Sequence, residues 1–287
     1  MEEEEELPVS EFDTLVLSGG SLMAVSIIGA LQYLKDNNLI SHVQNYIGTS
    51  AGAIVCYLLI IGYTPIEIII YLCTNHQVFE KLKYFNIVSA TRGEGATSFL
   101  HISEQIEKMT IDKTGRLFTM GDILTIFNKN FTCVTYNITK NQPEYLSPLT
   151  TPSLPCITAL RMSCNLPLVF ESFKYGDSFY IDGGLSNNFP IDQAEIIGKK
   201  VIGINLDYKI IEDTPHNNLL EYVYKLILIP VIQAEKYKIL NTRENTVIVQ
   251  ILCTNSIKFF DFNVNSKTKL ELFSLGYEEC KKKFLKS

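Results

Sequence analysis

Apolar positions along this chain fall into short continuous runs separated by stretches of helical spacing. The runs Thr14–Leu17, Val43–Ile47, Phe131–Tyr136, Phe179–Ile181, Val201–Leu206 and Val247–Leu252 predict strands. Between them, segments such as Asp122-Ile123-Leu124-Thr125-Ile126-Phe127 and Gln193-Ala194-Glu195-Ile196-Ile197 carry a helix-period pattern. The alternation predicts an α/β fold in which residues 12–287 form one domain, with the core in 12–207 and helices plus a last sheet strand in 208–287. The proline- and threonine-rich stretch from Pro143 to Pro155 reads as a loop, placed as a rim or lid. No residue from Tyr46 to Ile66 is charged, but the break Gly62-Tyr63-Thr64-Pro65 divides the run, so a strand and a buried helix are expected rather than a membrane span. The apolar run Leu226–Ile232 is too short to cross a bilayer; core packing is the expectation and docking onto a bilayer the alternative.

One junction carries chemistry. Gly48-Thr49-Ser50-Ala51-Gly52 joins the strand ending at Ile47 to the apolar run Ala53–Ile61: strand, sharp turn, helix, with a serine at the apex. Glycines on either side let strand and helix pass closely, and the helix amino end beneath the serine favours negative charge. A second junction, Asp182-Gly183-Gly184, ends the strand Ser178–Ile181 and opens a loop through Pro190. Asp-Gly alone is a common turn; paired with Ser50 it supplies a base. A third, Ser18-Gly19-Gly20-Ser21, links Thr14–Leu17 to the helical Val25–Leu31 and offers backbone amides for an oxyanion. The rival dinucleotide loop would need Gly-x-Gly-x-x-Gly, which is not present there.

These segments resemble the patatin-like phospholipase family. The matching pieces are Leu15 to Gly20, Gly48 to Gly52, Ala159 to Phe170 and Tyr180 to Pro190, in the family's order over residues 12–205, with weaker similarity near Phe260-Asp261-Phe262. The resemblance implies a three-layer α/β/α sandwich with a mostly parallel central sheet and hydrolysis of lipid acyl esters by a Ser-Asp dyad. By position, Ser50 is the nucleophile and Asp182 its proton acceptor; Gly19, Gly20, Ser21 and Leu22 form the oxyanion loop; Gly48, Gly52, Gly183 and Gly184 support the turns. No cofactor or metal is implied.

The family's first motif usually continues with a third glycine, a basic residue and another glycine, where this chain has Ser21, Met23 and Ala24. Backbone donors survive such changes, but Ser21 and Ala24 carry a Cβ where positive φ is expected, and Met23 removes a cation. One alternative is therefore a catalytically weak or inactive relative that binds lipid or protein. The histidines give another. His42 precedes the elbow strand and reads as structural, and His76 and His101 read as surface. Ser50, Asp182 and His216 run in α/β-hydrolase order, so a soluble carboxylesterase with a histidine triad stays open.

A net charge of −6 argues against nucleic acid as a partner. Glu2 to Glu6 make residues 1–11 an expected disordered acidic end, and Lys281, Lys282, Lys283 and Lys286 an expected solvated helix end. Seven cysteines without paired spacing or Cys-x-x-Cys suit a reducing compartment and offer no zinc site. The first residues lack a basic region followed by an apolar core, so no secretory signal is expected. Together with the resemblance, this predicts a metal-independent lipid acyl hydrolase of phospholipase or lysophospholipase type. It would be cytoplasmic, peripheral on membranes, without a transmembrane span, and would meet its lipid substrate at the membrane surface.

Overall fold

A computed structural model describes residues 12–75, 97–208, 219–253 and 264–285. Glu2 to Glu6, His76, His216, Phe260 to Phe262 and Lys286 lie outside the described residues. The strands are β1 (Thr14–Leu17), β2 (Asn45–Thr49), β3 (Asn130–Asn137), β4 (Gln142–Leu146), β5 (Phe173–Tyr175), β6 (Ser178–Asp182), β7 (Val201–Tyr208) and β8 (Thr246–Cys253). They form one sheet in the order β5-β6-β3-β2-β1-β7-β8, with β4 paired to β3 off that path. The contiguous strands β3, β2, β1, β7 and β8 are parallel, while β4 and β6 run antiparallel to β3.

The alternation of side chains along the strands separates the two faces. Leu15 and Leu17 of β1 and Ile202, Ile204 and Leu206 of β7 enter a large core with the helices Ala24–Asp36, Ala51–Ile60, Met120–Phe127 and Cys156–Ser163. Val16, Ile47 and Val201 point the other way, onto Phe189 and the helix Ile191–Ile197, with Ile239 of the helix Leu219–Leu240 beside them. The result is a central sheet flanked by helices on both faces, as the resemblance implies.

The uncharged run after Tyr46 is divided as expected. Thr64 and Glu67 form a reciprocal capping box (Glu67 N to Thr64 Oγ1, 3.2 Å; Thr64 N to Glu67 Oε2, 2.7 Å), and Pro65 opens the helix Pro65–Thr74. Among the described residues no helix is long and apolar enough to cross a membrane. Two expectations are corrected. Gln142–Leu146 is a strand rather than loop: Pro143 faces Tyr136, and β4 pairs only with β3, so this edge tolerates a residue with no N–H. Within Leu226–Ile232, only Val231 is buried, at 8% exposure, whereas Leu226, Ile227 and Ile229 are 48%, 39% and 43% exposed. The run is therefore mainly surface, which apolar content alone does not reveal.

The helix Ser266–Leu285 lies backbone to backbone on Ala24–Asp36. A Cβ on Gly276 would fall on the Ser26 carbonyl, and one on Gly29 on the Phe273 carbonyl. Gly276→Leu must force these helices apart, and overpacking of this kind typically destabilises by about 1–3 kcal/mol. Urea unfolding should therefore show a lower midpoint with an unchanged slope; an unchanged midpoint would contradict the packing.

Candidate active site

Strand β3 brings the site together. Cys133 and Val134 pair with β2 on one edge and β4 on the other, and Thr135 to Asn137 pair with β4 and β6. Strands β2 and β6 therefore share a single edge of β3 and meet end to end. Thr49 faces Val134, and Asp182 faces the next residue, Thr135. Ser50, one residue beyond Thr49, consequently lies against Asp182, and its Oγ donates a 2.7 Å hydrogen bond to Asp182 Oδ2. Gly183 is part of this approach, because a Cβ there would fall on the Val134 carbonyl oxygen.

Ser50 sits at φ 53°, ψ −126°, a left-handed conformation that costs a residue with a Cβ on the order of 1 kcal/mol or more. The surroundings enforce it. A Cβ on Gly48 would meet Ala53 backbone at 2.6 Å, and one on Gly52 the Ser18 carbonyl at 2.5 Å, so strand and helix cross too closely for any other residue. The buried Ser163 hydroxyl accepts the Ser50 amide at 2.9 Å and donates to the Val134 carbonyl at 2.6 Å, tying the elbow to β3.

Asp182 is 4% exposed. Its Oδ1 accepts the Gly184 amide at 2.6 Å. Burial pushes its carboxyl from 3.8 up to about 6, against the opposing effect of the bonds from Ser50 and Gly184. The carboxylate is thus ionised at neutral pH yet more basic than an exposed aspartate.

The first loop is wired to the same segment. Gly19 N donates to the Asn188 carbonyl at 3.1 Å, and Thr49 Oγ1 donates to the Asn187 carbonyl at 2.9 Å. Gly19 therefore has its amide engaged. Gly20 and Ser21 border both Ser50 and the space beside it, and neither amide takes part in the loop's own hydrogen bonds among the described residues. Ser21 stands at φ 49°, the positive region anticipated for it, whereas Ala24 is ordinary right-handed helix at φ −58°. Met23, in place of a cation, is buried in the large core.

Two cavities meet at Ser50, sharing Ser21, Leu166 and Asp182 in their walls. The larger, of about 200 Å³, runs into the core between Val25, Ile28, Ile54, Leu58, Phe99 and Ile106. Its outer wall is braced by Arg161, 6% exposed, whose guanidinium lies 4.6 Å from the Phe99 ring and 5.2 Å from the Phe173 ring while Nη2 donates to the Glu171 carbonyl at 3.0 Å. The smaller, of about 60 Å³, is bounded by Gly20, Asn188, Leu228 and Glu235. No residue of the segment Pro143 to Pro155 lines either cavity, so a lid from that segment is not found.

The structure brings Ser50, Asp182 and the loop Gly19 to Leu22 together, and leaves His42 and His101 out of both cavities. All seven cysteines are free, and among the described residues no cluster of histidine, cysteine and carboxylate side chains is arranged to hold a metal. Sequence reasoning assigned no role to Ser163, Asn187, Asn188 or Glu235. Ser163, Asn187 and Asn188 fall inside the family-like segments but their partners lie up to 169 residues away, as in the bond from Asn188 Nδ2 to the Gly19 carbonyl; no local signal marks Glu235.

Comparison with known proteins bears on these elements. A family model described as patatin-like phospholipase matches residues 15–195. A probable lipid hydrolase, 463L of Invertebrate iridescent virus 6, is 36% identical over 197 residues, which are 64% of this chain and 63% of that protein. The protein R571 of Acanthamoeba polyphaga mimivirus is 27% identical over 96% of this chain and 95% of its own length. Among solved structures, VipD from Legionella pneumophila superposes with a TM-score of 0.54 at 16% identity, over 96% of this chain and 67% of that one, a likeness of fold.

The burial of Asp182 sets a stability prediction. With the folded value raised from 3.8 to about 6, the fold prefers the protonated acid. Stability from this group is fully present below pH 3.8, falls as pH rises toward 6, and stays low above it, by about 3 kcal/mol. An asparagine keeps both hydrogen bonds without the charge, its Oδ1 accepting from Gly184 and its Nδ2 donating to Ser50. Asp182→Asn should accordingly raise the Tm by several degrees at pH 8 and by little at pH 4, measured by scanning calorimetry; a Tm lowered at pH 8 would contradict the desolvated carboxylate.

Proposed function

The chain belongs to the patatin-like phospholipase family, and from that premise we propose that it hydrolyses lipid acyl esters, of phospholipase or lysophospholipase type, through an acyl-enzyme on Ser50. Asp182 takes the Ser50 proton as Oγ attacks the ester carbonyl. The Gly20 and Ser21 amides hold the oxyanion. Collapse breaks the ester C–O bond, and Asp182 returns the proton to the departing alcohol. A water then loses a proton to Asp182 and attacks the acyl carbon; the acyl–Oγ bond breaks, Asp182 returns the proton to Oγ, and the fatty acid leaves with Ser50 restored. None of these steps calls on a metal.

The observation that carries this reading is the direct 2.7 Å bond between Ser50 and Asp182. In a histidine triad an imidazole stands between serine and carboxylate; the direct contact supports the reading in which the carboxylate itself is the base. The raised basicity of Asp182 suits the role, since a base works best when its proton affinity is near the operating pH. The apolar cavity of about 200 Å³ beside Ser50 suits a fatty acyl chain. Leu226, Ile227 and Ile229 are exposed on the helix that brings Leu228 to the smaller cavity, apolar exposure that supports peripheral attachment to the cytoplasmic side of a bilayer. A second reading, a binding-only relative, rests on the strain at Ser21, φ 49°, in the oxyanion loop.

Labelling with a fluorophosphonate probe separates the two readings. Wild type should be labelled, Ser50→Ala not at all, and Asp182→Asn at least a hundredfold more slowly. Folded wild type that resists labelling would favour binding alone.

A further inference from the structure

Glu235 is a buried acid for which the proposed chemistry has no use. It projects from the helix Leu219–Leu240, is 8% exposed, and lines the smaller cavity together with Ser50 and Asp182. The Asn188 side chain acts on its carboxyl to lower its proton affinity, but Oε1, buried, has no hydrogen-bond partner among the described residues. A polar atom in that condition is costly to leave unmatched. The larger cavity is apolar and suits the acyl chain, so the alcohol part of the ester falls on the Glu235 side.

The charges facing Glu235 narrow what it can meet. Asp182 shares its cavity, Asp207 acts on it as a second negative charge, and Lys238 acts as the opposing cation. Lys238 Nζ is committed to Asn187 Oδ1 and Asp192 Oδ1, each at 2.8 Å. Burial raises the Glu235 carboxyl to about 7, so near neutrality it exists both with and without its proton. A phosphate oxygen pairs well only with the protonated acid and an ammonium only with the carboxylate. A hydroxyl both donates and accepts, and so satisfies either form.

We propose that Glu235 is a specificity-determining residue that hydrogen-bonds a free hydroxyl on the alcohol part of the substrate, next to the scissile ester. The preferred substrates are then acyl esters with a neighbouring hydroxyl, as in lysophospholipids and monoacylglycerols, over esters whose neighbouring position lacks one. This rests on the hydrolase reading above and names its substrate class. A site built around a buried hydrogen-bonding group discriminates strongly against analogues that leave the group unpaired.

The test compares kcat/KM for 1-oleoyl lysophosphatidylcholine and for 1-oleoylglycerol with their analogues lacking the hydroxyl at carbon 2. It uses wild type, Glu235→Leu and Glu235→Gln, with fluorophosphonate labelling of Ser50 measured alongside. Wild type should favour the hydroxyl-bearing esters by roughly tenfold to a hundredfold. Glu235→Leu should bring that ratio close to unity. Glu235→Gln, which still donates and accepts, should keep part of it. The preference appearing in only one pair identifies the lipid source, phospholipid-derived or neutral. Equal turnover of each pair by labelled wild type, or an intact preference in Glu235→Leu, overturns the proposal alone; wild type that neither labels nor hydrolyses any of the esters overturns the hydrolase reading beneath it.

Discussion

A single edge of β3 has to accommodate two strands, and the site depends on how they meet. Strand β2 runs parallel to β3 and ends opposite Val134; β6 runs antiparallel and ends opposite Thr135. Two strand ends pointed at each other on one edge leave their terminal residues in contact. The contact is Ser50 Oγ to Asp182 Oδ2, and the sheet's hydrogen-bond ladder rather than a flexible loop sets its length. Ser163 reinforces the junction by holding the Ser50 amide and the Val134 carbonyl with one hydroxyl. A site built on strand ends in this way is more rigid than one carried by loops.

Electrostatics follow from that placement. Asp182 is buried at the end of β6, and desolvation raises its proton affinity while the Gly184 amide keeps it oriented. Glu235, which lines the smaller cavity with Asp182, is also raised by burial, to about 7. The fold therefore surrounds one serine with two carboxyl groups of raised basicity. The larger cavity is walled by apolar side chains of the main core, with Arg161 holding its aromatic rim. In the proposed reading the acyl chain takes the larger cavity and the alcohol the side that carries Glu235.

Much of the site was legible in the chain because its requirements are steric and local. Gly48, Gly52 and Gly183 are needed where backbones cross within van der Waals contact, and such demands write themselves as glycine beside a serine or aspartate. The positive φ of Ser21 was legible for the same reason. What could not be read depends on pairings across the sheet. Strand β4 is disguised by Pro143, which only an edge position excuses. The engagement of the Gly19 amide by Asn188 and the hold of Ser163 on the Ser50 amide arise from contacts more than a hundred residues apart in sequence, and Glu235 reaches the site only through the cavity it shares with Ser50. Surface exposure of Leu226 and Ile229 was hidden by an apolar run that resembles core.

The proposed role of Asp182 as the base that activates Ser50 is tested most directly by the pH dependence of kcat/KM for a small uncharged acyl ester. Such a substrate reports the ionisation of the free enzyme. With Asp182 as the base, kcat/KM rises about tenfold per pH unit on the acid side and reaches a plateau above about 6, the value to which burial brings Asp182, with the same profile in His216→Ala. A limb that disappears when His216 is replaced, or activity indifferent to pH through this range, would contradict it.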